Sequence, residues 1–131
     1  MRFPRLALAF ALMLVSGAAQ AAPERAGYYE NLRYITEADD YVGVRMTVST
    51  GPAPSVDFEL CQGWCNGSEV FPAVIDGDRI AFTYVSRGET RDGRVVTHAT
   101  PVTGRFVRGG VILTIGEGEP EKLRRRRSIP R

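Results

Sequence analysis

Short runs in which apolar and polar residues alternate constrain the fold of this 131-residue chain more than any other feature. In the clearest run, residues 41–48, the alternate positions are Val42, Val44, Met46 and Val48. Successive side chains of a β-strand point to opposite faces, so a period of two is typical of a strand with one buried face. The period recurs in residues 56–60 and 80–85, and we therefore predict an all-β fold.

Glycine-containing dipeptides separate several of these runs, namely Asp76-Gly77, Asp92-Gly93 and Gly109-Gly110. Such pairs supply the positive φ that tight hairpin turns require, and successive hairpins produce an antiparallel meander. We expect strands to begin near Tyr28, Tyr41, Val56, Val70, Arg79, Arg94, Val102 and Val111, with a further candidate near Lys122. Pro101 is expected to separate two short strands or to mark an edge, because proline has no N–H to donate to a ladder.

About eight strands at this spacing favour an up-and-down meander closed into a small barrel, because closure removes exposed edges. A two-layer β-sandwich is the alternative, since the periodicity of the sequence does not distinguish the two. An outer-membrane barrel is disfavoured because its strands need about 9–11 residues and an apolar outer face. The predicted strands are shorter, and Asp57 and Glu59 place charge on the outer face. We expect no integral membrane insertion.

The first 21 residues have the three parts of a secretory signal peptide. Arg2 and Arg5 precede an apolar run over residues 6–15, and Ala19-Gln20-Ala21 provides small residues for cleavage after Ala21. The apolar run is shorter than the roughly 20 residues that span a bilayer. We therefore predict an exported protein, periplasmic or secreted, whose residues 22–131 form a single domain.

Positive charge is concentrated at the end of the chain. The sequence has 17 Lys and Arg against 15 Asp and Glu, and two of the arginines belong to the predicted signal peptide. The arginine run consists of Arg124, Arg125, Arg126 and Arg127. Four adjacent cations repel one another, so we expect an anionic counterpart inside the fold or on a partner. Nucleic acid is disfavoured, because the protein is exported and no aromatic residues are interleaved with the run.

The only cysteines, Cys61 and Cys65, are predicted to form a disulfide, as an isolated pair usually does in an oxidising compartment. Gly63 allows the segment between them to turn. A loop this short contributes only about 2 kcal/mol by the chain-entropy model, so the bond fixes a local loop rather than the domain. Redox and metal roles are weaker interpretations, because the spacing is not Cys-x-x-Cys and no histidine lies nearby.

Trp64 lies between the two cysteines, where its side chain has two interpretations. It either covers the open end of the barrel as a plug or is displayed as a rigid anchor for a protein partner. We favour the plug, because large apolar side chains are more often buried.

The sequence carries no recognisable catalytic arrangement. His98 is the only histidine, and neither a Gly-x-Ser-x-Gly elbow nor a His-Glu-x-x-His motif accompanies it. The adjacent Asp39 and Asp40 would point to opposite faces of an extended chain and fit a turn better than paired catalytic carboxylates. We expect no enzyme activity, no metal and no cofactor.

An export signal, an eight-strand meander, one small disulfide and a Leu-Arg-Arg strand together resemble the calycin-type small barrels. Within that group the chain is similar to short periplasmic barrels that inhibit proteases or lysozymes. It lacks the Gly-x-Trp signature of lipocalins, for which Gly27-Tyr28-Tyr29 is the nearest substitute. No ligand or inhibitory residue is therefore carried over.

Two functions follow as hypotheses for a monomeric binding protein. In the first, the barrel holds a small apolar or amphipathic ligand against the inward side chains of Phe58, Phe82, Tyr84 and Phe106. In the second, it binds an envelope protein, as a protease or lysozyme inhibitor would, through Trp64 or the arginine run. An interior cavity above about 300 Å³ would favour the first, whereas a filled barrel with an exposed Trp64 would favour the second.

Overall fold

The computed structural model describes residues 25–127. The predicted signal peptide, residues 1–21, lies outside them and stays a prediction. Among the described residues, no helix is both long enough and apolar enough to cross a membrane. The strands are β1 (Gly27–Glu30), β2 (Arg33–Ile35), β3 (Asp40–Ser49), β4 (Ser55–Gly63), β5 (Glu69–Asp76), β6 (Arg79–Glu89), β7 (Val95–Val107), β8 (Gly110–Ile115) and β9 (Glu121–Arg126).

The sheet closes on itself, which confirms the predicted barrel over the sandwich. Strands β3 to β9 form an antiparallel meander, and β1 completes the ring by pairing with both of its ends. Tyr29 lies opposite Met46 of β3 on one side and opposite Arg125 of β9 on the other. Eight strands therefore form the barrel, and β2 is an additional strand that pairs with β3 alone.

Strand β2, which the sequence analysis did not predict, continues β1 along β3 after an interruption at Asn31. The main-chain N–H of Asn31 donates to the carbonyl of Val44 at 3.0 Å, and the N–H of Val44 donates to Asn31 Oδ1 at 2.7 Å. Val44 follows Gly43, where a Cβ atom would lie 2.7 Å from the same Oδ1. Glycine at position 43 thus allows the amide side chain to substitute for a backbone partner.

The expectation that Pro101 divides two short strands is wrong, because β7 runs without a break from Val95 to Val107. The N–H of Phe106 donates to the carbonyl of Asp78, so residues of β7 at even positions direct their backbone groups toward β6. Pro101 therefore directs its backbone toward β8, whose ladder with β7 ends at Val102. The missing N–H of Pro101 costs no ladder bond in that position.

The hairpin turns form where the glycine dipeptides predicted them. Gly77 and Gly109 have φ values of 57° and 74° in the turns that follow β5 and β7. These turns need only two residues, since Asp76 pairs with Arg79 and Val107 pairs with Gly110. Short turns keep consecutive strands adjacent and so enforce the meander.

The interior of the barrel is filled by its own side chains. The Phe58 ring lies 5.2 Å from that of Phe82 and 5.0 Å from that of Tyr84, and Phe106 packs against Tyr29 at 5.9 Å. Phe58, Phe82 and Phe106 are buried, with 1–6% of their surface exposed, and Tyr84 is half-buried. A ligand-sized cavity would leave such side chains accessible along its walls, so the barrel has a packed core.

We expect Gly110→Ala to destabilise the barrel by about 3 kcal/mol, at the upper end of the usual cost of overpacking. The added Cβ would collide with the backbone carbonyl oxygen of Leu123, in the ladder that connects β8 to β9. Gly88→Ala is the matched control, because a Cβ there would have no neighbour within 4 Å. Urea denaturation of both variants measures the difference. Equal midpoints would show that β8 and β9 are not packed so closely.

Candidate functional site

Three exposed aromatic side chains form a patch on the outer wall of the barrel, which we call the aromatic patch: Tyr34, Tyr41 and Trp64. Tyr34 of β2 lies opposite Tyr41 of β3, with ring centroids 5.0 Å apart. Tyr41 in turn lies opposite Gly63 of β4, and Trp64 is the next residue. The exposed fractions are 50% for Tyr34, 43% for Tyr41 and 64% for Trp64. The register of β2 with β3 therefore brings Tyr34 against Tyr41, and the register of β3 with β4 places Trp64 one residue beyond the position opposite Tyr41.

The loop that carries Trp64 is held against the outer face of β4. Cys61 and Cys65 form the predicted disulfide, with their Cα atoms 4.6 Å apart. Cys61 alternates with the inward residues Phe58 and Leu60, so its side chain leaves the wall on the outside, where the loop buries it. The expected plug is therefore wrong: Trp64 is 64% exposed, on a loop that the bridge attaches to the outer face of β4.

A buried ion pair fixes the other end of the same loop. Glu59 also points outward from β4, yet only 3% of it is exposed. Its carboxylate accepts hydrogen bonds from the guanidinium of Arg45 on β3 and, at 2.6 Å, from the main-chain N–H of Gly67. A buried carboxylate needs such partners, because an unpaired charge is expensive to desolvate. The loop is thus attached both through a covalent bond and through a charged hydrogen bond.

Acidic side chains surround one side of the aromatic patch. Glu37, Asp39 and Asp40 lie in or beside the turn between β2 and β3, and the first two are exposed. The Tyr34 hydroxyl donates a hydrogen bond to Asp39, and this bond raises the pKa of Tyr34. Asp39 adopts a positive φ of 53°, which aspartate tolerates better than most residues. Arg33 is the cationic residue nearest in sequence to these carboxylates.

The arginine run does not act as one unit. Arg126 forms an ion pair with Glu30 of β1 at 3.1 Å, which confirms an anionic counterpart within the fold for this residue. Arg125 donates to the carbonyl of Ala26 at 2.6 Å, and both side chains border an open cleft of 640 Å³ together with Arg127. Arg124 is exposed on the outer face of β9.

Tyr28 completes the network around Glu30. Its hydroxyl donates to the second carboxylate oxygen of Glu30 at 3.1 Å, and only 7% of the residue is exposed. Burial and the adjacent negative charge of Glu30 raise the pKa of Tyr28 to about 12. No local sequence pattern predicts this network, because it depends on the register between β1 and β9.

The other residues considered from the sequence lie apart from these surfaces. Phe58, Phe82 and Tyr84 pack together in the core, whereas Phe106 faces one end of the barrel, where Arg25 lies 5.1 Å from its ring. His98 is exposed on β7. Among the described residues, Glu59, Cys61 and Cys65 alone bring three metal-ligating groups together, and the disulfide occupies both of the sulfur atoms.

Comparisons with protein-family models, with curated proteins and with solved structures found no significant match for this chain. The resemblance to calycin-type barrels therefore stays a prediction. The described site must be interpreted from its own chemistry.

We expect the free energy of unfolding to fall between pH 10 and pH 12 because of Tyr28. The folded chain retains the phenolic proton up to about pH 12, whereas the unfolded chain releases it near pH 10. In this range the unfolded state binds fewer protons, so stability decreases as the pH rises, by up to about 1.4 kcal/mol per pH unit. Urea titrations at pH 9, 10, 11 and 12 should give a shallower decrease for Tyr28→Phe. Parallel curves for the two proteins would contradict this assignment.

Proposed function

We propose that this chain is an exported domain that binds another protein of the cell envelope through the aromatic patch. The observation that carries the proposal is the exposure of Trp64, at 64%, on a loop fixed at both ends. Tyrosine and tryptophan are enriched at the centres of protein interfaces, where they provide most of the binding energy. In a protein with a packed core, their display on the outer wall favours a role in binding proteins.

The packed interior argues against the first hypothesis, a ligand carried inside the barrel. The aromatic side chains expected to line such a site contact one another instead. An eight-stranded barrel has an interior just wide enough either to be filled by side chains or to hold one small ligand. In this chain the side chains fill the interior, so Phe58 and Phe82 are almost inaccessible to a ligand.

The attachment of the loop increases the affinity that the patch can provide. Ordering a mobile loop on binding costs free energy, and a loop ordered beforehand avoids that cost. The Cys61–Cys65 bond and the hydrogen bond from Gly67 to Glu59 order this loop in the free protein. The tilted ring pair of Tyr34 and Tyr41 is likewise held by the β2–β3 ladder.

The charges beside the patch indicate the kind of partner. Glu37, Asp39 and Asp40 provide a negative rim, so the partner should present an apolar depression bordered by lysine or arginine. Rim charges mainly increase the association rate, and salt screens them within about 10 Å at 0.1 M. An envelope enzyme with such a cleft would be blocked when Trp64 enters it.

Trp64→Ala and Tyr41→Ala should each weaken binding to the partner by at least tenfold, because hot-spot truncations cost about 2 kcal/mol or more. The partner is first captured from periplasmic extract with a photo-crosslinker at position 34, and its affinity is then measured with purified proteins. Val74→Ala is the control, since Val74 is 68% exposed on β5, beyond the residues of that strand that pair with β4. Unchanged affinity in both aromatic variants, or a small molecule retained by the native protein, would refute the proposal.

Removal of the disulfide should lower both the stability of the domain and its affinity for the partner. We expect Cys61→Ala with Cys65→Ala to lower the free energy of unfolding by about 2 kcal/mol, because the bridged loop is short. The effect on partner affinity should be a loss of tenfold or more, since the loop must then be ordered on binding. Denaturation and calorimetric titration of the same variant give both quantities. A stable variant with unchanged affinity would show that loop order is irrelevant.

A further inference from the structure

A second surface lies on the outer face of β6, β7 and β8. It is a shallow groove of 360 Å³, which we call the arginine groove and define by Arg79, Thr103, Arg105 and Thr114. In the eight-strand ring β7 is four strands away from β3 in either direction. The groove therefore lies on the wall opposite the aromatic patch, and the inference drawn from it is independent of the proposed function.

The two arginines of the groove are direct cross-strand neighbours. Arg79 of β6 lies opposite Arg105 of β7. The next pair, Asp78 and Phe106, is joined by a backbone hydrogen bond from Phe106 to Asp78, so the arginine pair is of the non-hydrogen-bonded type. In such pairs the Cα atoms are about 4.5 Å apart and the side chains are at their closest. Like charges placed directly opposite each other destabilise a sheet.

No described residue neutralises this pair through an ion pair. Asp76 lies opposite Arg79 on the β5 side, and Asp78 precedes it in the turn, but neither carboxylate approaches within 4.0 Å of a guanidinium nitrogen. On the other side, Arg105 lies opposite Ile112, which lies opposite Lys122 of β9. The row across β6 to β9 therefore contains three exposed cations.

The floor of the groove adds neutral hydrogen-bond donors. Thr103 and Thr114 lie opposite each other on β7 and β8, on the same outer face as Arg105. Ala81 occupies the adjacent position on β6, and its small side chain leaves space above the strand. Hydroxyl donors beside two guanidinium groups suit a tetrahedral oxyanion, because arginine binds phosphate or sulfate through paired N–H groups.

We propose that the arginine groove is a binding site for a phosphate or sulfate group. Arg79 and Arg105 hold the anion between their guanidinium groups, and the hydroxyls of Thr103 and Thr114 donate to its remaining oxygens. The bound anion removes the repulsion between the two arginines. The group belongs either to a soluble ester or to the headgroup of an anionic lipid, and the groove recognises the same chemistry in both.

The test uses the mature protein and observes the arginine side chains directly. Nitrogen-15 spectra of the arginine Nε–H groups are recorded during titration with inorganic phosphate and with sulfate. Cosedimentation is measured with vesicles of phosphatidylglycerol and, for comparison, of phosphatidylcholine. The variant is Arg79→Gln with Arg105→Gln. Its charge-matched control is Arg91→Gln with Arg94→Gln, in the turn between β6 and β7.

Saturable shifts of the Arg79 and Arg105 signals in the wild type and in the control would support the site. The backbone N–H signals of Thr103 and Thr114, which the groove variant keeps, should then report an anion affinity at least tenfold weaker in that variant. Binding to phosphatidylglycerol but not to phosphatidylcholine vesicles, weakened in the groove variant and retained in the control, would also support the site. It would identify the bound group as a lipid headgroup. Equal losses of anion affinity in both variants would show that binding depends only on net charge, and would overturn the proposal. So would the absence of saturable shifts and of vesicle binding. If the groove variant folds poorly, the wild-type spectra still show whether the Arg79 and Arg105 side chains bind the anion, and the absence of saturable shifts there overturns the proposal.

Discussion

The pairing of β1 with both β3 and β9 is the constraint on which the rest of the structure depends. Four residues, Gly27–Glu30, convert an open meander into a ring. Once the ring is closed, every strand position faces either the interior or the outer wall, and no third environment exists. The inward positions fill the interior with packed apolar side chains. We therefore propose that recognition by the described residues takes place on the outer wall or at the ends of the barrel.

The alternation of strand β4 determines what the outer wall displays. Phe58 points inward, so Glu59 and Cys61 must point outward. Both outward residues bind the loop that follows β4, one through Gly67 and the other through Cys65. This parity forces Trp64 onto the outer surface. A shift of the cysteine by one residue would have directed the same loop toward the mouth of the barrel and favoured the plug that the sequence suggested.

Local patterns in the sequence predicted the features that depend on local chemistry. Alternation predicted the strands, and the glycine dipeptides predicted turns such as that at Gly77. Features that depend on register were not predictable, because register is a relation between distant segments. Tyr34 and Tyr41 meet only through β2, and Arg79 meets Arg105 across 26 positions of sequence. The effect of Pro101 is likewise not predictable from local sequence, because it depends on which neighbouring strand its backbone faces.

The two surfaces have opposite charge and lie on opposite walls. The aromatic patch is bordered by carboxylates in and beside the turn between β2 and β3, whereas the arginine groove crosses β6 to β8. A barrel of eight strands transmits little motion between its walls, because its packed core resists deformation. Occupation of the groove should therefore leave the geometry of the patch unchanged. If the anion belongs to a surface, docking through the groove turns Trp64 away from that surface and toward a protein partner.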